Sequence, residues 1–283
     1  VKIEAFAVEQ VPPRITHDSV VFVCSLPVGI QLSLLTNLQW MDKYETTAKY
    51  NTAETCCASI SVDDLRALSD DKESDPLAQL QSTKLTYGAI RGSDKLRNTL
   101  ANLYSVRAPT QLPMDNILIT AGAIQANFLL LYTLAGPGDH VICHYPTYQQ
   151  LFSVPASVGA EVSLWKSKEA DGWQLDIEEL KGLIRPNTKL IIIKYVSFLL
   201  GAVFSPDIML FIATHTTQLG IIPRQTLQQL VDIAREKSII IHSDEVYRPL
   251  FHNICPADPR FPPTLLSMGY ERTVVTGSVS KAY

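Results

Sequence analysis

The 283-residue sequence has no C-x-x-C pair, no run of like charges, no uninterrupted apolar span and no long-range internal repeat. Each absence removes a class of function. The five cysteines (Cys24, Cys56, Cys57, Cys143 and Cys255) are odd in number and lack paired spacing. They therefore suggest neither a zinc knuckle nor a disulfide framework, and a reducing cytoplasm fits them best. A formal net charge of −4, spread without clusters, gives no electrostatic footprint for nucleic acid. Two stretches come nearest to membrane spans. Ser19 to Leu38 is uncharged but interrupted by Pro27 and Gly29, and Val196 to Ala213 holds Pro206 and Asp207 near its middle. An aspartate at bilayer depth costs about 2.5 kcal/mol or more, so no membrane anchor is expected. His140 and His144 flank the strand-like V-I-C run and are read as turn or strand-end residues, not metal ligands.

What is present is a repeated alternation of short apolar runs and helical periods. Residues before Trp40 show no sustained period, and from Trp40 an amphipathic helix is expected. Ser61 reads as an N-cap before the acidic turn Asp63-Asp64, and Ser93 opens a helix with Leu96, Leu100 and Leu103 on one face. Strands are expected at Asn116–Thr120, from His140, at Glu161–Trp165, at Lys189–Lys194, in the run from Ser238 and in the run from Thr273. Helices are expected from Ala121 to Leu134, Asp176 to Ile184 and Pro223 to Lys237. This β-α-β order predicts a three-layer α/β/α fold around a mostly parallel sheet.

Several residues at the strand ends carry chemistry. Lys281 follows a β-branched strand and a Gly-Ser turn, and a rigid, desolvated or cation-rich pocket would free its amine as a nucleophile. Ser278 lies three residues earlier, able to offer a hydroxyl to an anion. Ala121-Gly122-Ala123 is a small-residue turn at a helix start, where backbone N–H groups attract phosphate. Tyr148 stands just beyond a strand's carboxyl end, Asp244 and Tyr247 end another strand, and Tyr87 projects from a glycine-punctuated loop. Taken singly, each has a plainer reading: a surface lysine, tight strand-helix packing, packing tyrosines. Together they form the set that holds a phosphorylated pyridine aldehyde as an electron sink.

In S-D-E-V-Y (243–247) and T-G-S-V-S-K-A-Y (276–283) the sequence resembles the class I/II aminotransferases, fold-type I enzymes dependent on pyridoxal 5′-phosphate (PLP). Supporting motifs are Y-G-A-I-R-G (87–92), I-T-A-G-A-I-Q-A (119–126), G-P-G-D-H-V-I-C-H-Y-P-T-Y (136–148), P-R-Q-T-L (223–227) and, less specifically, N-T-A-E-T-C-C (51–57). The resemblance implies that Lys281 forms the Schiff base and shuttles the proton. It implies that Asp244 pairs with the pyridinium nitrogen, Tyr247 bonds the phenolate oxygen and Tyr148 stacks on the ring. Gly122, Ala123 and Ser278 would hold the phosphate. Tyr87 would reach the phosphate of a neighbouring subunit in a homodimer, and the substrates would be an amino acid and a 2-oxo acid.

Two departures accompany the resemblance. The family's N-P-x-x-P-T-G asparagine, which bonds the phenolate oxygen, has no counterpart, because the pattern is interrupted from Tyr195 and resumes at Leu219. The family also continues past the lysine with a phosphate-binding arginine and a small C-terminal domain, so the expectation is a C-terminally truncated chain. Residues 1–50 are read as an N-terminal arm with an atypical apolar segment, 11–39, and residues 51–283 as an incomplete PLP-binding large domain with an atypical insertion at about 195–218. Both atypical segments are read as splice-derived or translated non-coding sequence, or else as a genuine lineage-specific insertion. A lyase of the same fold, such as a carbon–sulfur lyase or an aminocyclopropane-carboxylate-synthase-like enzyme, and an inactive remnant are the alternative functions.

Overall fold

The computed structural model describes residues 43–44, 47–50, 60–71, 82–194, 222–248 and 263–282. The atypical segment 11–39, the stretch 51–57, the insertion at about 195–218 and most of the helix expected from Trp40 lie outside the described residues. The chain divides into two compact units, Val1–Lys49 and Tyr50–Tyr283. In the first, the Lys43 ammonium lies 5.0 Å from the centre of the Tyr44 ring, and the Ala48 N–H donates to the Tyr44 carbonyl at 2.9 Å. The second carries the sheet.

Five strands, β1 (His140–Tyr145), β2 (Glu161–Lys166), β3 (Thr188–Lys194), β4 (Ile240–Asp244) and β5 (Thr273–Thr276), pair in the order β2-β1-β3-β4-β5 with every pair parallel. The helices are α1 (Val62–Leu68), α2 (Asp94–Ser105), α3 (Gly122–Leu134), α4 (Gln150–Ser157), α5 (Ile177–Leu183), α6 (Arg224–Lys237) and the single turn α7 (Val279–Ala282). This is the expected α/β architecture.

The strands are near-continuous apolar runs because both faces of the sheet are covered. Leu190 and Ile192 of β3 join Val141 and Cys143 of β1, Leu131 of α3 and Leu151 of α4 in one core cluster. The alternate residues Ile191 and Ile193 join Ile142, Leu180 of α5 and Leu227, Leu230, Val231 and Ala234 of α6 in the other. All four β3 residues are fully buried, each contributing about 1.5–3 kcal/mol of apolar transfer. The chain thus crosses from β1 to β2 on one face through α4 and returns to β3 on the other through α5. That reversal makes the β1/β3 boundary a topological switch point, and ligands of open α/β sheets bind outside the strands' carboxyl ends there.

Local signals act as their chemistry predicts at the caps. The Ser61 Oγ accepts the Asp64 N–H at 3.1 Å while Asp64 accepts the Ser61 N–H at 2.8 Å, a reciprocal capping box. Ser93 caps α2 and Asp176 caps α5.

Two expectations are corrected. Asn116–Thr120 is not a strand: a 3₁₀ turn, Met114–Asn116, occupies its start, and no strand of the sheet pairs with the remainder. Ile119 instead donates its N–H to the Arg91 carbonyl at 3.1 Å. An apolar β-branched run becomes a ladder only beside another strand's free groups. The inward face of α2 also differs from the Leu96-Leu100-Leu103 stripe, for Arg97 and Ala101 are its buried residues and Leu96 is exposed. Arg97 turns inward because its guanidinium meets Asp115 at 3.1 Å and Asp94 at 3.6 Å.

No helix among the described residues is long and apolar enough to cross a membrane. No group of His, Cys, Asp and Glu among them is arranged to hold a metal ion.

Candidate active site

The carboxyl edge of the sheet collects the titratable groups. Asp244 ends β4 and is 4% exposed. Its Oδ1 accepts the Val246 N–H at 3.1 Å and its Oδ2 accepts the Asn127 amide of α3 at 3.3 Å. Burial pushes the Asp244 carboxyl above the ordinary carboxylate range, opposed by the Val246 N–H, Lys194 and Asn127. Two neutral-donor bonds leave lone pairs on the carboxylate for a further, preferably cationic, donor.

Asn127 lies five residues into α3, whose first residue is Gly122. At 1.5 Å per residue that separates the helix start from the amide by about 7.5 Å, comparable to a pyridine ring with a phosphate arm. Gly122 has φ +76°, which a side chain resists, and a Cβ there would meet nothing within 4 Å. No side chain caps this helix end. The Gly122 N–H turns back to the Thr120 carbonyl at 2.9 Å and the Ala121 N–H is taken by Gln125 Oε1 at 2.8 Å. The N-terminal end of α3 carries the positive end of the helix dipole and has no acidic residue in its first turn.

Tyr247, in the turn after β4, is buried, and the Lys194 ammonium lies 4.9 Å from the centre of its ring. Lys194 is the last residue of β3, in register with Asp244. Tyr148 is half-exposed and stands at the entrance to α4, past the cis Tyr145–Pro146 bond that leaves β1. Gln150 of α4 donates to the Ile124 carbonyl at 2.6 Å, tying that loop to the first turn of α3.

Beyond β5 the backbone passes Gly277, where a Cβ would overlap the Tyr104 hydroxyl of α2. Ser278 accepts the Ser280 N–H at 3.0 Å, and its hydroxyl lies 2.7 Å from that of Ser280. Lys281 follows on α7, half-buried, at i+3 from Ser278 and so on the same side of the turn. Its charge acts on Lys194, which links the two lysines electrostatically.

The structure brings Asp244, Tyr247, Lys194 and Lys281 into electrostatic or direct contact, with Asn127 joining α3 to them. Tyr87 is 100% exposed and makes no part of that group. Sequence reasoning missed Asn127 and Lys194 as site residues. Each carried a signal: a lone amide inside the apolar helix A-N-F-L-L-L, and a charge terminating the buried run L-I-I-I-K.

The family described as aminotransferase class I and II matches residues 63–283. The chain is 27% identical over 205 residues to an aspartate aminotransferase of Thermotoga maritima, covering 72% of this chain and 48% of the relative. It is 26% identical over 197 residues to an arginine–pyruvate transaminase of Pseudomonas aeruginosa, covering 70% and 44%. Among solved structures it is similar to a PLP-dependent aminotransferase from Streptococcus suis at 36% identity and TM-score 0.69, covering 87% of this chain and 57% of that one. The chain spans about half the length, or less, of the curated relatives it matches.

Proposed function

This chain belongs to the class I and II aminotransferase family, and we propose that it holds pyridoxal 5′-phosphate at the carboxyl edge of its sheet and transfers an amino group from an amino acid to a 2-oxo acid. The observation that carries the reading is the geometry of α3 and β4. One helix presents a positive end with no acidic residue in its first turn and, about 7.5 Å further on by its rise, an amide bonded to the Asp244 carboxylate at 3.3 Å.

Gly122, Ala123 and the Ser278 hydroxyl hold the phosphate in this reading, and Tyr148 stacks on the ring. When bound, the cofactor supplies an electron-withdrawing ring that stabilises a carbanion at the amino acid's α-carbon. Asp244 would pair with the pyridine nitrogen, for which its buried carboxylate has spare acceptor capacity beyond Val246 and Asn127. Tyr247 would bond the phenolate oxygen. The Lys281 amine would hold the cofactor and would serve as the base that takes and returns the proton at the substrate's α-carbon.

The functional unit in this reading is a homodimer in which Tyr87 reaches a neighbouring subunit's phosphate. Its support is apolar surface: Leu85, Tyr87 and Ile90 are almost wholly exposed, and Ile124, Phe128 and Tyr132 leave an outward face on α3 with the last two rings stacked at 5.6 Å. A cytoplasmic location fits the free, buried thiol of Cys143.

Mixing the purified chain with pyridoxal 5′-phosphate tests the reading. A new absorbance band that is lost in Lys281→Ala, with 2-oxo acid released from an amino acid panel, is the expected result. Release of pyruvate with thiol or ammonia would indicate elimination instead. Absence of any Lys281-dependent band would overturn the assignment.

A further inference from the structure

Gly277 stands between β5 and the turn that carries Ser278 and Lys281. Its φ lies outside the left-handed region, so conformational freedom does not explain the glycine. Space does: a Cβ there would overlap the hydroxyl of Tyr104, on α2. With that oxygen gone, the next atom, Tyr104 Cζ, is 3.7 Å from the same Cβ, an ordinary contact. Among the described residues no other atom beyond the two chain neighbours lies within 4 Å of it.

The same ring touches the other strand end. The Arg248 guanidinium lies 5.8 Å from the centre of the Tyr104 ring. Arg248 is buried in the turn after β4, where its N–H donates to the Glu245 carbonyl at 2.9 Å and its guanidinium faces the Glu245 carboxylate at 3.9 Å. Glu245 in turn donates its N–H to the Thr276 carbonyl at 2.8 Å, carrying the β4–β5 pairing one step past Asp244 and up to Gly277. Tyr104 thus bridges the segment that follows Asp244 and the segment that leads to Lys281.

The helix that bears Tyr104 is itself anchored. Arg97, Ala101 and Tyr104 follow the i, i+4, i+7 spacing of one helix face, and the buried Arg97 guanidinium meets Asp115 at 3.1 Å. The hydroxyl of Ser105, next to Tyr104, accepts the Leu112 N–H at 2.8 Å. An anchored ring passes its position on to whatever packs against it, because close-packed neighbours do not yield freely.

We propose that Tyr104 is a positioning residue for Lys281: its hydroxyl, seated on the Gly277 backbone, and its ring, against Arg248, set the Lys281 turn relative to the end of β4 that bears Asp244. The inference rests on the reading of Lys281 as the amine that holds the cofactor, and deepens it. Tyr104 acts in this role through the turn alone.

A double-mutant cycle on the full chain tests the contact, with Tyr104→Phe making room for the methyl group that Gly277→Ala adds. Without cofactor, acetylation of Lys281 by acetic anhydride is measured by peptide mass spectrometry relative to the exposed Lys166. Gly277→Ala should raise it about threefold or more, and the double variant should return it to within about twofold of Tyr104→Phe. Tyr104→Ala, which removes the ring and adds no bulk, should raise it as well, which preserves the test should Gly277→Ala fail to fold. With pyridoxal 5′-phosphate, the Lys281 amine adds to the aldehyde with loss of one water, borohydride reduces the C=N bond, and the trapped adduct is mapped. Its rate of formation should fall about tenfold or more in Gly277→Ala and recover in the double variant, since a misplacement of about 1 Å can cost about 100-fold. Urea midpoints separate positioning from stability. A midpoint lowered by Gly277→Ala with Lys281 acetylation unchanged overturns the proposal, as does acetylation that the double variant does not restore. Restored acetylation in chains that form no adduct, the parent included, refutes the cofactor reading and leaves Tyr104 as the residue that places Lys281. An adduct in the parent with no restoration refutes the positioning role alone.

Discussion

Asp244 and Glu245 are adjacent in the chain, both buried and both pushed above the usual carboxylate range by burial, yet they occupy opposite kinds of surroundings. One oxygen of Glu245 accepts the Leu265 N–H at 2.9 Å, the Thr264 hydroxyl at 3.1 Å and the Ser243 hydroxyl at 3.3 Å, while the other faces Arg248 at 3.9 Å. It clasps the start of the 3₁₀ turn Leu265–Met268 to the end of β4. Asp244 accepts hydrogen bonds from the Val246 N–H and the Asn127 amide, with Lys194 in register beside it. A carboxylate whose acceptors are used by the scaffold stabilises the fold, whereas one with spare acceptors at a sheet edge is available to a ligand.

Truncating the clasp gives the largest effect. Glu245→Ala removes a buried partner from Arg248 and three donors at once, and should cost about 3–5 kcal/mol of stability, read as the urea midpoint. The contrast breaks if Asp244→Asn costs as much. Next comes the reverse dissociation: Asp244→Ala should weaken pyridoxal 5′-phosphate binding by about 2–5 kcal/mol, measured by absorbance titration, since a cationic ring nitrogen would lose its buried counter-charge.

Acid sharpens the contrast further. His144 and His242 are held neutral by burial, down to about 4 and about 3. Their stabilisation is present above the ordinary histidine value near 6.5 and is lost as pH falls from there through the folded values, at most about 1.4 kcal/mol per pH unit per ring. Asp244 and Glu245, raised, act in the other sense: their contribution is present at low pH and lost as pH rises through their folded values. Urea midpoints measured between pH 6.5 and 4 should therefore fall, and fall more steeply in Asp244→Asn, where one opposing group is gone. The smallest effect is at Asn127: Asn127→Leu removes one 3.3 Å bond to Asp244 and should weaken cofactor binding by about 1 kcal/mol.

Sequence patterning made much of the frame legible because burial on both faces writes itself as runs such as L-I-I-I, and helix starts announce themselves at Ser61, Ser93 and Asp176. Asp244 was visible for the same reason, as a charge where a buried strand stops. Glu245, its neighbour, carries an identical local signal, and only the Thr264–Leu265 segment brought from twenty residues away tells the two apart. Lys194 and Asn127 depend likewise on which strand or helix lies alongside. The run at Asn116–Thr120 was misread because strand propensity is intrinsic to residues but a ladder belongs to a pair. The α2 face was misread because leucines were counted and the Arg97–Asp115 pair, eighteen residues apart, was not.

The rigid start of α3 has an evolutionary corollary. Because Gly122 and Asn127 share one uninterrupted helix, inserting a single residue between them would swing the amide about 100° around the axis and break its registration with β4. Length variation is therefore forbidden across this short interval while it remains tolerable in surface loops. Related chains that gain or lose residues should do so outside positions 122–127, and a chain altered inside them should bind a molecule of different reach.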